Sequence, residues 1–257
     1  MSKDRSSPQI AVAIPCFNEA AAIPLVIASW RASLPEAEII VFDNNSTDGT
    51  GDIARGLGVR VIHVTSQGKG HAVRAIFREL RDRDAVLLVD GDGTYPASEC
   101  QKLLAPILDG SADMTIGARC PVAQEGAMSP VRGLGNHMIR AAFLVLIGRG
   151  PGDLLSGYRG FSRHFLSNAA LRSSGFEIET ELAGEAVARG TRTVEVPVPY
   201  YPRIAGTTSK LRAFRDGRRI LMTIVTLALR LRPWRVIALG ATVVLTTVVL
   251  GWLIVRR

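Results

Sequence analysis

Short apolar runs alternate with amphipathic segments along the first half of this chain, and this alternation limits its fold more than any other feature. Strand-like runs occupy residues 9–15, 38–43, 59–64, 85–90 and 113–119, and helix-like segments lie between them. Near-continuous apolar strands separated by helices are typical of a parallel sheet covered by helices on both faces. The first half is therefore predicted to be an α/β sheet with its ligand site at the carboxyl ends of the strands.

Polar side chains follow three of these predicted strands. Asn18 and Glu19 follow the first strand, residues 43–48 the second, and Asp90 and Asp92 the fourth. The carboxyl ends of parallel strands meet at one edge of a sheet, so these groups should converge on one carboxylate-rich site.

Asp90 and Asp92 are separated by a single glycine at the end of an apolar strand. Two carboxylates so close repel each other unless both face solvent or a cation lies beside them. Oxygen-only ligands suit Mg²⁺ or Mn²⁺, which can also hold a diphosphate. Both aspartates are therefore predicted to bind a divalent metal; the alternative is a solvated turn, since Asp-Gly sequences favour turns.

The second half of the chain is more irregular. Helices are predicted over 138–148 and 175–190, a strand or turn over 157–163, and a strand over 191–201. A glycine-containing loop then leads into a basic helix over 203–221, which an apolar stretch over 220–229 extends.

The C-terminal residues 236–255 carry no charge. At about 1.5 Å per residue, such a helix spans about 30 Å, the thickness of a bilayer's hydrocarbon core. Trp234 and Trp252 lie near its two ends, where interfacial aromatic residues are common. The run is predicted to be a transmembrane helix; a buried core helix is the alternative.

The formal net charge of +8 favours an anionic partner, such as nucleic acid, lipid headgroups or phosphorylated ligands. Nucleic acid fits poorly, because most of the positive charge lies close to the predicted span and no aromatic-rich basic surface is evident. The three cysteines are widely spaced, which predicts reduced thiols and no metal ligands. The four scattered histidines are interpreted as structural.

Eight short motifs together resemble a known family. AIPCFNEAAAI (13–23), VFDNNSTDGT (41–50), GKGHAVR (68–74) and VDGDGTYP (89–96) resemble the nucleotide-sugar domain of family 2 inverting glycosyltransferases. DLLSGYRGFSR (153–163), GFEIETEL (175–182), VEVPVPY (194–200) and GTTSKL (206–211) resemble its dolichyl- or polyprenyl-phosphate sugar synthase branch, of the dolichol-phosphate mannose/glucose synthase type. The order and spacing of the motifs make the resemblance specific, and it covers roughly residues 9–225.

The resemblance implies a nucleotide-diphospho-sugar transferase fold of the GT-A type. This is an α/β, Rossmann-like mixed sheet with helices on both faces, here followed by a transmembrane helix. Residues 1–219 would form the cytosolic glycosyltransferase domain, with a nucleotide-sugar half over 9–120 and an acceptor half over 121–219. A juxtamembrane segment over 220–233 and the transmembrane helix over 234–255 would complete the chain.

The resemblance also implies roles for individual residues. The nucleotide-binding residues would be Pro15, Phe17, Glu19, Asp43, Asn45, Lys69, Asp90 and Gly91. Asp90 and Asp92 would hold the metal, Arg119, Arg132, Arg203 and Lys210 would bind phosphate, and Asp92, Asp153 and Arg203 would be catalytic.

Simpler roles remain open for several of these residues. Asn45 and its neighbours fit a turn, and residues 68–70 fit a surface loop. Arg132 fits a surface charge. Asp153 fits a helix N-cap or a salt-bridge partner of Arg159.

The implied reaction is the inverting transfer of a sugar from a nucleotide-diphospho-sugar to an undecaprenyl or dolichyl phosphate, with Mg²⁺ or Mn²⁺ as cofactor. Thr94 stands where many mannosyl synthases have glutamine, which favours a UDP-sugar over GDP-mannose. The acceptor phosphate is already ionised near neutral pH and needs little general base, for which Asp153 is the candidate. The protein would be single-pass in the cell membrane with a cytoplasmic catalytic domain, and self-association is compatible with one span.

Two other functions are compatible with the sequence. One is a family 2 glycosyltransferase with a saccharide acceptor, which the predicted span and the second set of motifs disfavour. The other is a non-catalytic membrane protein whose basic surface binds anionic lipid.

Overall fold

The computed structural model describes residues 7–121 and 130–255, with side chains described except at 121, 130–132, 243–245 and 248–255. The strands are β1 (Ile10–Cys16), β2 (Glu38–Asp43), β3 (Arg60–His63), β4 (Ala85–Leu88), β5 (Met114–Pro121), β6 (Arg159–Ser162) and β7 (Thr193–Tyr200). The helices are α1 (Ile23–Ser33), α2 (Thr50–Gly56), α3 (Lys69–Glu79), α4 (Cys100–Leu108, after a 3₁₀ turn at Ala97–Glu99), α5 (Pro130–Ile147), α6 (Arg163–Asn168), α7 (Ile178–Arg189), α8 (Ala213–Leu231) and α9 (Pro233–Val255).

The strands form one mixed sheet in the order β3-β2-β1-β4-β6-β5-β7. Strands β1 to β4 are parallel to their neighbours within that group, as the alternation predicts. The predicted mixed sheet is confirmed. Strand β5 runs in the same direction as β1 to β4, but it does not pair with β4. Strand β6 from the second half of the chain lies between β4 and β5 and is antiparallel to both.

Helices cover both faces of the central part of the sheet, and successive residues of a strand point to opposite faces. In β1, Val12 and Ile14 pack on the side of α1 and α4, and the smaller Ala11 and Ala13 pack on the side of α3 and α7. All four side chains are fully buried. The predicted helices on both faces are thereby confirmed.

A third core joins the C-terminal helices to the domain. Phe143 of α5, Ala183 of α7 and Ile224 and Leu227 of α8 belong to this buried cluster. Helix α8 combines the predicted basic segment and its apolar extension in one continuous helix, so the predicted domain boundary at residue 219 falls inside it.

The structure confirms a helix over the C-terminal apolar run, as α9. Among the residues that the structure describes, no helix is both long and apolar enough to cross a membrane. The prediction that α9 is a span therefore rests on the sequence.

Two helices differ from expectation. Helix α5 begins at Pro130, eight residues before the predicted start at 138, because a proline suits the first turn of a helix. The short helix α6 was not predicted. Ser162 caps it by accepting a hydrogen bond from the backbone N–H of Phe165.

Candidate active site

A cavity of about 490 Å³ opens where the carboxyl ends of β1 and β4 meet the loops of the second half, and we call it the central cavity. The first half lines it with Pro15, Cys16, Phe17, Glu19, Asn44, Gln67, Gly68, Lys69, Ala72, Asp90, Gly91 and Asp92. The second half lines it with Ser174, Gly175, Phe176, Arg203, Lys210, Arg212, Arg215, Asp216 and Arg219. Nine of the residues predicted from the sequence are therefore brought to one site: Pro15, Phe17, Glu19, Lys69, Asp90, Gly91, Asp92, Arg203 and Lys210.

Asp92 is buried and is held through both of its carboxylate oxygens. Its Oδ1 accepts hydrogen bonds from the backbone N–H and the hydroxyl of Thr94, at 3.0 and 2.7 Å. Its Oδ2 lies 2.7 Å from Arg203 Nη2. Burial and then the charge of Asp90 raise the pKa of Asp92, although Arg203 and Thr94 act in the opposite direction.

Lys69 joins Asp90 to an acid from the second half of the chain. Its Nζ lies 2.5 Å from Asp90 Oδ1 and 2.6 Å from Glu179 Oε1. Burial alone would lower the pKa of Lys69, but the charges of Asp90 and Glu179 outweigh burial and raise it. Sequence reasoning did not single out Glu179, although the residue lies inside the GFEIETEL motif.

Glu19 lies between two cations near the second half of the chain. Lys210 Nζ is 3.3 Å and Arg203 Nη1 3.8 Å from Glu19 Oε1, and Lys210 also donates to the carbonyl of Asn18 at 2.9 Å. The other oxygen, Oε2, is buried without a hydrogen-bond partner among the described residues. Burial raises the pKa of Glu19 to about 7; Lys210 opposes this shift and Asp92 adds to it.

The start of α8 adds basic side chains to the mouth of the cavity. Arg212, Arg215 and Arg219 line it there, and sequence reasoning recognised only that the segment is basic. Asp216 Oδ2 accepts a hydrogen bond from the backbone N–H of Arg212 at 2.6 Å, which fixes the beginning of the helix. Positive charge at this mouth favours anionic ligands.

Arg119 and Asp153 form an ion pair outside the residues that line the cavity. Arg119 Nε and Nη2 donate to the two carboxylate oxygens, both at 2.7 Å. Although burial would raise the pKa of Asp153, the Arg119 hydrogen bonds hold it below its usual value, which makes Asp153 a weak base. Arg159 is not its partner, because its guanidinium donates to the carbonyls of Leu154 and Ser156 at 2.8 and 3.0 Å.

Three other predicted residues lie apart from the cavity or outside the described side chains. Asp43 is buried at the end of β2 and accepts a hydrogen bond from the backbone N–H of Ser46 at 3.1 Å. Asn45 is exposed in a left-handed turn with a φ of 63°, which asparagine tolerates. The side chain of Arg132 lies outside the described residues. The ligand-binding roles of these three residues stay predictions.

The loop that carries Gly157 lies directly against Asp90. A Cβ at Gly157 would be 2.2 Å from Asp90 Oδ2, so a side chain here would displace the Asp90 carboxylate. The backbone N–H of Gly157 donates to the hydroxyl of Tyr95 at 3.1 Å. Tyr95 thereby links the motif over 89–96 to the motif over 153–163.

The two aspartates fit a divalent metal of a particular kind. They offer only oxygen donors, which Mg²⁺ and Mn²⁺ prefer. Among the described residues, no three His, Cys, Asp or Glu side chains are grouped so that they could hold a metal ion by themselves. Asp90 and Asp92 therefore fit an ion that brings further oxygen ligands with it, as a metal diphosphate does.

Comparison with known proteins agrees with this geometry. Residues 11–166, more than half of the chain, match the family model described as glycosyl transferase family 2. The chain belongs to this family. Glycosyltransferase AglJ of Haloferax volcanii is 39% identical over 213 residues, which are 83% of this chain and 70% of that protein. Dolichyl-phosphate hexose transferase of the same organism is 34% identical over 224 residues, 87% of this chain and 95% of that protein.

A solved structure supports the same fold for this family 2 glycosyltransferase. It is glucosyl-3-phosphoglycerate synthase from Mycobacterium tuberculosis in complex with Mn²⁺, UDP-glucose and phosphoglyceric acid. The two chains superpose with a TM-score of 0.68 at 21% identity, covering 86% of this chain and 80% of the other. The predicted GT-A architecture is thereby confirmed.

Proposed function

We propose that this family 2 glycosyltransferase moves a sugar from a nucleotide-diphospho-sugar to a polyprenyl phosphate, with inversion at the anomeric carbon. The observation that carries the proposal is the pairing of acids and bases from both halves of the chain in one cavity. Asp92 from the first half pairs with Arg203 from the second at 2.7 Å. A donor diphosphate and an acceptor phosphate are both anions, so holding them together requires cations such as these.

The donor side of the reaction is assigned to residues of the first half. We propose that Phe17 and Glu19 face the nucleoside, that Asp90 and Asp92 hold a divalent ion, and that Lys69 faces the diphosphate. When bound, that ion offsets the charge of the departing nucleoside diphosphate. For the donor we favour a UDP-sugar, because Thr94 stands in place of glutamine and commits its hydroxyl to Asp92.

The acceptor side is assigned to the basic loop and the start of α8. Arg203 and Lys210 bind the acceptor phosphate beside the sugar, and Arg212, Arg215 and Arg219 keep the mouth of the cavity positive. An ionised phosphate oxygen is itself the nucleophile and needs no strong base. The pairing of Asp153 with Arg119 agrees with a reaction that proceeds without a base at this position.

Membrane association follows from a polyprenyl acceptor, and we propose α9 as the anchor. Its uncharged run over 236–255 supports this, as do the exposed side chains of Trp234 and Ile237. The relative from Haloferax volcanii that is named dolichyl-phosphate hexose transferase supports the same class of acceptor here. Three arginines, Arg230, Arg232 and Arg235, precede the uncharged run and two follow it, which favours a cytoplasmic location for the catalytic domain.

A donor panel tests the proposal. Full-length protein in detergent receives undecaprenyl phosphate, Mn²⁺ or Mg²⁺, and radiolabelled UDP-glucose, UDP-N-acetylglucosamine, UDP-galactose or GDP-mannose in turn. We expect label from one UDP-sugar in the organic phase, lost with EDTA and with Asp92→Asn. Asp82→Asn, at an exposed aspartate near the far end of β4, is the matched control and should keep activity.

The same panel can contradict the proposal. Label that moves only to an added soluble saccharide would replace the lipid acceptor by a sugar. Label that moves to neither acceptor from any donor would overturn transferase activity on these substrates.

A further inference from the structure

Lys69 lies between two glycines that bring the start of α3 against the segment before α7. A Cβ at Gly68 would lie 2.2 Å from the carbonyl oxygen of Ser174, and a Cβ at Gly70 would lie 2.3 Å from that of Ser173. Real side chains do not tolerate such distances, so both glycines are required for this contact. The contact places Lys69 beside the first turn of α7.

Glu179 occupies that first turn, and both ends of its pairing with Lys69 are buried. The side chain of Glu179 is 6% exposed and that of Lys69 is 12% exposed. A buried charge is costly unless a partner compensates it, so each of these two groups depends on the other. Lys69 also contacts Asp90, which means that one ammonium group connects α7 to the predicted metal ligand.

We propose that Glu179 is a positioning residue for the donor site and that it acts through Lys69. This inference rests on the proposed function, in which Asp90 holds a divalent ion. While no donor is bound, Lys69 neutralises Asp90. If Asp90 binds the ion instead, Lys69 loses this partner, and its ion pair with Glu179 would keep Lys69 beside the diphosphate.

The physical reason is competition for one carboxylate oxygen. An ammonium group 2.5 Å from Asp90 Oδ1 lowers the negative potential that a divalent ion would meet there. The negative charge of Glu179 offsets part of the positive charge of Lys69. Without Glu179, Lys69 would pair with Asp90 alone and would oppose metal binding more strongly.

The test measures Mn²⁺ binding to the full-length protein by electron paramagnetic resonance. The variants are compared without acceptor and without UDP, and wild type is also measured with UDP. Glu179→Gln should weaken Mn²⁺ binding by about tenfold, and Lys69→Met should strengthen it by a similar factor, as expected for one charge in a partly desolvated site. In the Lys69→Met background, Glu179→Gln should change the Mn²⁺ affinity by less than about twofold, because the residue acts through Lys69.

Glu185→Gln is the matched control. Glu185 is also a fully buried glutamate of α7, but it pairs with Arg189 at 3.1 Å and Arg230 at 2.9 Å. Its replacement should leave the Mn²⁺ affinity at the wild-type value. Thermal unfolding checks that each variant is folded; if Glu179→Gln does not fold, Lys69→Met carries the test, and an unchanged or lower Mn²⁺ affinity there overturns the inference.

The outcomes separate this inference from the proposed function. If wild type binds Mn²⁺ and Glu179→Gln behaves like Glu185→Gln, the positioning role is overturned and the donor site stands. An equal loss of affinity from Glu179→Gln with and without Lys69 would also overturn it, because the glutamate would then act by its own charge. If wild type binds no Mn²⁺ even with UDP, the proposed metal site fails, and the inference fails with it.

Discussion

At the scale of single residues, the central cavity is a set of acids and bases that already neutralise one another. Lys69 faces Asp90, Arg203 faces Asp92, and Lys210 faces Glu19. Each cation assigned to a phosphate in the proposed function is therefore paired with a carboxylate of the protein. It would exchange this carboxylate for a phosphate when substrate binds. The opposite charges hold these half-buried and buried side chains together in the central cavity before any ligand binds.

Glu19 gives this arrangement a pH dependence. Its pKa rises from the ordinary 4.5 to about 7 on folding, so between these values the folded chain keeps a proton that the unfolded chain has released. The contribution of Glu19 to the free energy of unfolding therefore falls as pH rises from about 4.5 to 7. The rise from 4.5 to about 7 corresponds to a loss of at most about 3.5 kcal/mol, at about 1.4 kcal/mol per pKa unit.

Glu19→Gln should remove this part of the pH dependence. Urea unfolding in detergent at pH 5 and pH 8 should show a smaller loss of stability for the variant than for wild type. Glu36→Gln, at an exposed glutamate, is the control and should keep the wild-type difference. An unchanged difference in Glu19→Gln would mean that Glu19 is ionised in the folded protein at pH 5.

At the scale of elements, the close approach of α3 to the segment before α7 brings the two halves of the chain together around the cavity. Gly70→Ala should destabilise the protein by about 2 kcal/mol, since its Cβ would collide with the Ser173 carbonyl and overpacking costs about 1–3 kcal/mol. Donor binding should weaken as well, because Lys69 would shift. Thermal unfolding and UDP titration measure the two effects.

Gly56→Ala is the matched helical control for this change. Apart from its chain neighbours and its own helix backbone, no atom lies within 4 Å of a Cβ built at Gly56, so alanine should be neutral or slightly stabilising there. A Gly70→Ala protein as stable as Gly56→Ala would show that the α3 contact is looser than described.

The sequence was sufficient for the elements whose signal is local. The period of apolar residues locates β1, β2 and α3 within one or two residues, and polar residues at strand ends indicate Glu19, Asp90 and Asp92. The insertion of β6 between β4 and β5 could not be predicted from the sequence, because this antiparallel pairing of four residues depends on contacts between residues far apart in the chain. The same reason hid Glu179, whose partner Lys69 lies more than one hundred residues earlier.

At the scale of the whole molecule, α8 is the element that joins the central cavity to the proposed anchor. Its buried face packs on α5 and α7, whereas Phe214, Leu221, Val225 and Leu229 form an exposed apolar stripe on the same helix. Phe214 is 97% exposed and lies next to the cavity-lining Arg215. An apolar stripe beside a basic cavity mouth suits an acceptor with a phosphate head and a hydrocarbon tail.

The double change Leu221→Ser and Leu229→Ser should raise KM for polyprenyl phosphate several-fold while leaving KM for the donor unchanged. We expect this because the stripe would contact the hydrocarbon tail of the proposed acceptor and contains none of the predicted nucleotide-binding residues. Leu25→Ser on α1, also at an exposed leucine, is the control and should leave both values unchanged. Equal changes in both KM values for the double variant would mean that the stripe supports the folded structure and has no specific role in binding the lipid acceptor.

The stoichiometry of the reaction shows whether the sugar is transferred to the lipid phosphate. Full-length protein is incubated with the active nucleotide-sugar, a divalent metal and polyprenyl phosphate, and the released nucleoside diphosphate and the lipid-linked sugar are both quantified. We predict one lipid-linked sugar for each nucleoside diphosphate released, with neither formed by Asp92→Asn. Release of nucleoside diphosphate with all of the sugar left in the aqueous phase would contradict a lipid phosphate acceptor.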